Sequence, residues 1–258
     1  MARRYAVLDV FTDTALAGNP LAVVRDAEGL SDARMQAIAR EFNLSETVFL
    51  LPPTQPGHSA RARIFTPARE LPFAGHPTVG TAVLLAHDRL ADAEGDGEAV
   101  IVIEEEIGAV RCGVVLRAGE AGYAEFDVPR PPQPLTVPID REAAAAALGL
   151  LPREIGFENH LPSAFEAGVP FAFVPVANLD VIARARPVAD LWSHAFEAPR
   201  PTSAFLYCRD TVRHDAAFHA RMFAPDMGIG EDPATGSAAA AVAGVVHRFD
   251  TPTDGRHM

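Results

Sequence analysis

Part of this sequence occurs twice. RIFTP (residues 63–67) returns as RMFAP (221–225), and each is followed by a second matching block, GHPTVGTA (75–82) in one case and EDPATGSA (231–238) in the other. Proline, glycine, Thr/Ser and alanine hold the same places, so that His76 stands where the second copy has Asp232, and Thr81 where it has Ser237. The two spacers differ by two residues. Two matching blocks in matching order are the mark of a duplicated unit, and they predict two similar halves related by a pseudo-twofold axis with a cleft between them.

Each copy can be given a local structure. SARARIF (59–65) and FHARMF (218–223) alternate small or apolar residues with Arg or His, the period of a strand with one buried face. After a loop, Asp232 is placed to cap a helix with Pro233 at its first position, and His76 and Pro77 do the same in the first copy. The runs that follow, TVGTAVLLA and ATGSAAAAVAGVV, have no polar face. Both therefore read as helices enclosed by sheet. An enclosed helix start leaves N–H donors unpaired at the positive end of its dipole, so the two starts together are expected to bind a carboxylate.

The remaining elements are ordinary. Ser31 is a plausible cap for an amphipathic helix over 31–42, with Met35, Ile38, Ala39 and Phe42 on one face, and 141–150 is an alanine-rich helix. Strands are expected near 5–11, 21–24, 48–51, 100–105, 109–116, 171–176 and 203–207, so strands outnumber helices. The proline-rich PRPPQPLTVP (129–138) cannot join a central strand and marks a boundary.

Composition narrows the function. The 258 residues are 48% hydrophobic, enough for a packed core. Twenty-two basic against 34 acidic side chains give a net charge of −12, which repels phosphate backbones and anionic membranes. Nucleic acid and membrane are therefore not expected partners. There is no signal-peptide pattern, and the longest run of small apolar residues, 238–246, is far too short to span a bilayer, so the expected location is the cytoplasm. Cys112 and Cys208 are isolated and read as small core residues. His214 and His219 have no third ligand at a recognisable spacing, and no nucleotide or flavin motif is present, so no metal and no cofactor are expected. What remains is proton transfer by side chains. Glu46, in NLSETVFL (43–50), sits where the chain changes direction, although a solvated loop glutamate is the commoner meaning of such a position.

The combination of DVFTDTALAGNPLAVV (9–24), NLSETVFL, RIFTPARELPFAGHPTVGTA (63–82) and GEDPATGSA (230–238) resembles the phenazine biosynthesis PhzF-like family of isomerases. That resemblance implies a diaminopimelate epimerase-like α+β fold, in which each of two pseudo-symmetric halves wraps a mixed sheet or open barrel around a central helix. The halves are placed at residues 1–118 and 119–258. It further implies Glu46 as the acid/base, His76 and Asp232 as catalytic partners, and Gly75, Gly236 and Ser237 at the helix starts that hold a substrate carboxylate. The activity implied is a cofactor-independent proton shift on a small carboxylate, with a second copy of the chain as the protein partner. A two-base racemase or epimerase, and a carboxylate-binding protein without turnover, are the rival readings. Related two-cysteine enzymes are disfavoured as a guide, because neither cysteine lies in a matching block. Family members continue further after the second helix, so the second half is expected to close differently or to be truncated at its C-terminus.

Overall fold

The computed structural model describes residues 2–90, 96–196 and 203–251. Contacts divide the chain into two compact units, Met1–Arg130 with Ala234–Ser237, and Pro131–Pro233 with Ala238–Met258. The first unit runs beyond residue 118 because the strand Tyr123–Phe126 still pairs with its sheet.

In chain order the first unit contains β1 (Tyr5–Val10), β2 (Asn19–Val24), α1 (Asp32–Phe42), β3 (Glu46–Leu51), β4 (Ala60–Phe65), β5 (Glu70–Leu71), α2 (Gly75–Arg89), β6 (Gly97–Glu105), β7 (Gly108–Leu116) and β8 (Tyr123–Phe126). The sheet runs β1-β2-β3-β4-β6-β7-β8, with β5 added to β4. Pairing is antiparallel except at β2·β3 and β4·β6. α2 packs against β1, β2, β3, β6, β7 and β8. It is buried from Gly75 to Thr78, and again at Gly80, Thr81, Ala82 and Ala86, as its lack of a polar face requires. Gly80 is needed there, since a Cβ would stand 2.7 Å from Val10 Cγ2 and 2.8 Å from Leu21 Cδ2.

α1 starts as its sequence predicts, with the Ser31 hydroxyl accepting from Arg34 N–H. It stops at Asn43, which takes the left-handed conformation (φ 52°) while its N–H bonds the Ala39 carbonyl. This stop turns the chain at once into β3, whose first residue is Glu46.

The second unit contains β9 (Gln133–Pro134), α3 (Arg141–Ala147), β10 (Ser163–Glu166), β11 (Pro170–Pro175), α4 (Leu179–Arg184), α5 (Ala189–Phe196), β12 (Ser203–Cys208), β13 (His219–Ala224), β14 (Ile229–Asp232) and, from Ala238 on, α6 (Gly236–Phe249). Its sheet runs β14-β13-β12-β11-β10-β9. Ala144, Leu148, Ile182 and Trp192 from the helices pack on Val174, Leu206 and Phe223 from the strands. The far end of α6 is tied down by hydrogen bonds around the buried His160. His160 bonds Tyr207 Oη (2.9 Å) through Nδ1 and Asp250 Oδ1 (3.1 Å) through Nε2, and Asn159 Nδ2 donates to the Phe249 carbonyl.

Three expectations are corrected. α6 is not enclosed all round: Ala239, Ala243 and His247, one stripe at helical spacing, face solvent. Asp232 does not cap it either. It closes β14 opposite Met222, so the ladder occupies its backbone, and the helix begins only at Gly236. In the first copy, by contrast, the helix starts earlier than expected, with Ala74 as the N-cap and His76 and Pro77 already helical.

The duplication survives with its frame moved by five residues. β5 folds back on β4 as β14 folds back on β13. Arg63 makes a two-pronged pair with Glu70 (2.7 and 2.5 Å), and Arg221 makes the same pair with Glu231 (2.7 and 2.8 Å). Each arginine also lies over a phenylalanine two residues on, Phe65 or Phe223. The matching segments are thus ELPFAGH and EDPATGS, with Gly75 opposite Gly236 and His76 opposite Ser237. In this frame Asp232 replaces Leu71, and both positions are buried.

Glu104 on β6 organises the loop after β3. It accepts from the N–H groups of Thr54 and Gln55, the Thr54 hydroxyl (2.7 Å) and the His58 ring (2.9 Å). Burial pushes this carboxyl up, but the donors outweigh it and hold it at about 2. A folded value below the ordinary 4.5 stabilises the protein above that pH, and the contribution is lost as pH falls toward 2. Glu104→Gln should therefore melt below the parent at pH 7, and the gap should narrow between pH 4.5 and 2; a gap that stayed constant in thermal melts across that range would refute the charge argument.

Candidate active site

The parallel pairing of β2 with β3 sets Leu21 beside Glu46, and so brings the start of β3 next to Asn19 and Pro20. The first turn of α2 meets the same place. His76 Nδ1 lies 3.5 Å from Glu46 Oε2, with both side chains buried. Glu46 is therefore not the solvated loop residue that its sequence position allowed.

Asn19, fully buried, completes the group. Its amide nitrogen donates to the Ala234 carbonyl (3.0 Å) and lies 3.3 Å from His76 Nδ1. A carbonyl can only accept, which fixes the orientation of the amide, and its second hydrogen is then directed at His76 Nδ1. The ring also bonds the Pro20 carbonyl, which likewise can only accept, so His76 is the donor there. Burial holds the ring at about 3, against the opposite pull of the Pro20 carbonyl, and it stays uncharged throughout the physiological range. The contact with Glu46 is thus that of a carboxyl with a neutral imidazole. Phe11, half exposed, sets its ring edge toward His76 at 6.5 Å between centroids.

The segment Ala234–Ser237 belongs to the first unit and brings Gly236 and Ser237 against Gly75. A Cβ on Gly75 would lie 2.5 Å from Gly236 C and 2.8 Å from Ser237 N; one on Gly236 would lie 2.9 Å from Gly75 Cα. The two glycines thus touch backbone to backbone. Within α2, the Thr78 N–H is bonded to the Ala74 carbonyl, whereas those of Gly75 and His76 precede any intrahelical acceptor and Pro77 has none. Both are donors for an anion.

Of the residues expected from sequence, the structure gathers Glu46, His76, Gly75, Gly236 and Ser237 in the first unit. Asp232 belongs to the second unit, buried at the end of β14. Asn19 was missed. Its signal was the AGNP of the 9–24 motif, where an asparagine ahead of a proline reads first as turn chemistry.

The cysteines take no part. Both are free and buried. Burial first, then the charges of Glu105 and Asp127, pushes the Cys112 thiol up to about 12, and burial also raises Cys208. Neither is poised as a thiolate base. Among the described residues no three His, Cys, Asp or Glu side chains converge as metal ligands, and no helix is long and apolar enough to cross a membrane.

Comparison with known proteins gives this constellation a family. A family model described as phenazine biosynthesis-like protein matches residues 8–254. The chain belongs to that family. An isomerase named as uncharacterized, from Mesorhizobium japonicum, is 55% identical, covering 98% of this chain and 83% of its own. The trans-2,3-dihydro-3-hydroxyanthranilate isomerase of Pseudomonas aeruginosa is 36% identical, over 93% of this chain and 78% of its own. The crystal structure of a Bacillus anthracis phenazine biosynthesis protein of the PhzF family superposes with a TM-score of 0.81 at 27% identity, over 96% of this chain and 81% of its own. The fold is the α+β, diaminopimelate epimerase-like one that the duplication and the resemblance implied. With both relatives named isomerases over nearly the whole chain, the protein is an isomerase of the phenazine biosynthesis-like family.

The contact between the glycines makes a direct prediction. Gly75→Ala should lower stability by about 2 kcal/mol or more, because neither backbone can retreat freely. Gly230→Ala, with nothing near the added methyl, should change it by about 0.5 kcal/mol or less. Equal melting temperatures for the two variants would show that the backbones do not touch.

Proposed function

We propose that the protein catalyses a cofactor-independent isomerisation of a small carboxylate-bearing metabolite, with Glu46 moving the proton. The observation that carries this reading is the buried Glu46 carboxyl 3.5 Å from a neutral imidazole, beside a helix start with donors to spare. The substrate carboxylate is held by the N–H groups of Gly75, Gly236 and Ser237, which fixes the carbon to be deprotonated against Glu46. Withdrawal of a carboxyl from water favours its protonated form, which brings such a base toward the pH range in which carbon acids are deprotonated. Glu46 takes the proton from one carbon and returns it to another. His76 remains neutral beside the Glu46 carboxyl.

Asp232 is assigned to substrate binding or to a second proton transfer. Its support is internal: the equivalent position in the first copy is Leu71, and a repeat seldom replaces a core leucine with a buried carboxylate unless the charge has a use. This also keeps the two-base epimerase as the second reading. The trans-2,3-dihydro-3-hydroxyanthranilate isomerase named among the relatives makes a hydroxylated cyclic amino acid the first compound to try.

Turnover in deuterated water separates the two. One base acting alone should leave part of the substrate's own hydrogen in the product, whereas two opposed bases should bring solvent deuterium to an inverted centre. Glu46→Gln keeps the shape and removes the base, so it should lose roughly two to four orders of magnitude in rate and still bind ligand. Near-normal turnover by that variant would end the assignment of Glu46.

A further inference from the structure

On the other flank of α2 from the Glu46 contact is a second buried carboxyl that the proton transfer does not use. Glu105 ends β6, is buried, and places Oε1 2.6 Å from Thr78 Oγ1. The same hydroxyl lies 2.8 Å from the Ala74 carbonyl oxygen, one turn back. Proton counting decides what these two contacts mean. A threonine hydroxyl has one hydrogen, and a carbonyl oxygen has none to give. The Thr78 hydrogen therefore goes to Ala74, and the hydrogen in the shorter contact has to come from Glu105.

We propose that Glu105 is a neutral carboxylic acid that acts as a positioning residue for the start of α2, donating to Thr78 so that Thr78 can hold the Ala74 carbonyl. Ala74 is the N-cap and has no side-chain cap of its own. Its carbonyl carries both the N–H (3.2 Å) and the hydroxyl of Thr78, and the next two residues are Gly75 and His76. The chain Glu105 to Thr78 to Ala74 thus fixes the backbone that presents His76 to Glu46. The inference rests on the proposed function for its catalytic consequence only, not for the protonation of Glu105.

The surroundings favour the neutral acid. Burial pushes Glu105 up to about 8, with the Thr78 contact pulling the other way. The residue opposite it on β7 is Gly108, the nearest titratable group further along that strand's buried face is Cys112, a neutral thiol, and α2 contributes the neutral His76 near the same turn. Glu104, the preceding residue, turns to Thr54 and His58 on the opposite face of β6. Arg61, Arg63 and Glu70 line with Glu105 an open cavity of about 600 Å³, but Arg63 is already paired with Glu70 and Asp32. Beyond β8, Asp127 lies against Arg111. When Glu105 ionises it can only accept, the Thr78 hydrogen swings to it, and Ala74 loses one of its two bonds.

The test needs no substrate at first. In protein labelled at the glutamate side-chain carboxyl, the Glu105 resonance should be that of a protonated acid at pH 6 and should titrate near pH 8. The backbone amides of Gly75 and His76 should shift with the same midpoint. In Glu105→Gln, whose amide still donates to Thr78, those two shifts should disappear. Where turnover can be followed, the parent should lose kcat by about three- to tenfold through that midpoint and Glu105→Gln should not, while Thr78→Val should show the lowered kcat at every pH. An ionised Glu105 at pH 6, or Gly75 and His76 amides that ignore its titration, would overturn the proposal, and so would an alkaline loss of kcat that persists in Glu105→Gln. If no substrate were ever turned over, the proposed activity would fail, and the resonances would still decide the role of Glu105; if Glu105→Gln failed to fold, the titration of the parent alone would decide it.

Discussion

The rest of the site depends on one contact between two backbones. Gly75 and Gly236 approach so closely that neither has room for a Cβ. That approach carries Ser237 and the Ala234 carbonyl to the start of α2, and the Ala234 carbonyl in turn orients Asn19. The oriented Asn19 amide lies 3.3 Å from His76 Nδ1, on the side of the ring that meets the Glu46 carboxyl. A methyl group at either glycine would undo this sequence at its first step.

Burial then assigns the charges. Two titratable groups, His76 and Glu105, bear on the first turns of α2, and a third, Glu104, turns away from them. His76 is kept neutral because water is excluded from both ring nitrogens. Glu105 is kept neutral by burial, and its hydroxyl partner has no hydrogen to spare for a carboxylate. Glu104, one residue away but on the other face of the strand, accepts from several donors at once and stays ionised. Neighbours in sequence thus have opposite protonation because β-strand side chains alternate.

Much of this was legible in the sequence, and the exceptions have physical causes. The helix over 31–42, the strands and the duplication followed from period and repeated words. The frame of the duplication did not, because DP is a good helix opening in isolation and only the pairing of β14 with β13 shows that Asp232 is already in use. The Arg63–Glu70 and Arg221–Glu231 pairs give the true frame, and both were present in the text as letters without a reason to join them. Glu46 came from a resemblance, since a glutamate at a turn looks solvated until β2 is laid beside it. Asn19 and Glu105 depend wholly on partners distant in sequence. The enclosed character of α6 was overstated, since a run of small apolar residues cannot tell which side a sheet will cover.

The placement of residues 234–237 has a bearing on when this site can come into being. Asn19 and the Ala234 carbonyl are 215 positions apart, and the segment that carries that carbonyl returns to the first unit only after nearly all of the second has been threaded. On a ribosome the N-terminal sheet emerges long before its last piece exists. Loops of this length close slowly relative to local pairing. The nascent first unit therefore waits with the start of α2 unfinished, and the corner around Glu46 and His76 is assembled late in folding, when residues 234–237 supply the glycine that α2 was built to meet.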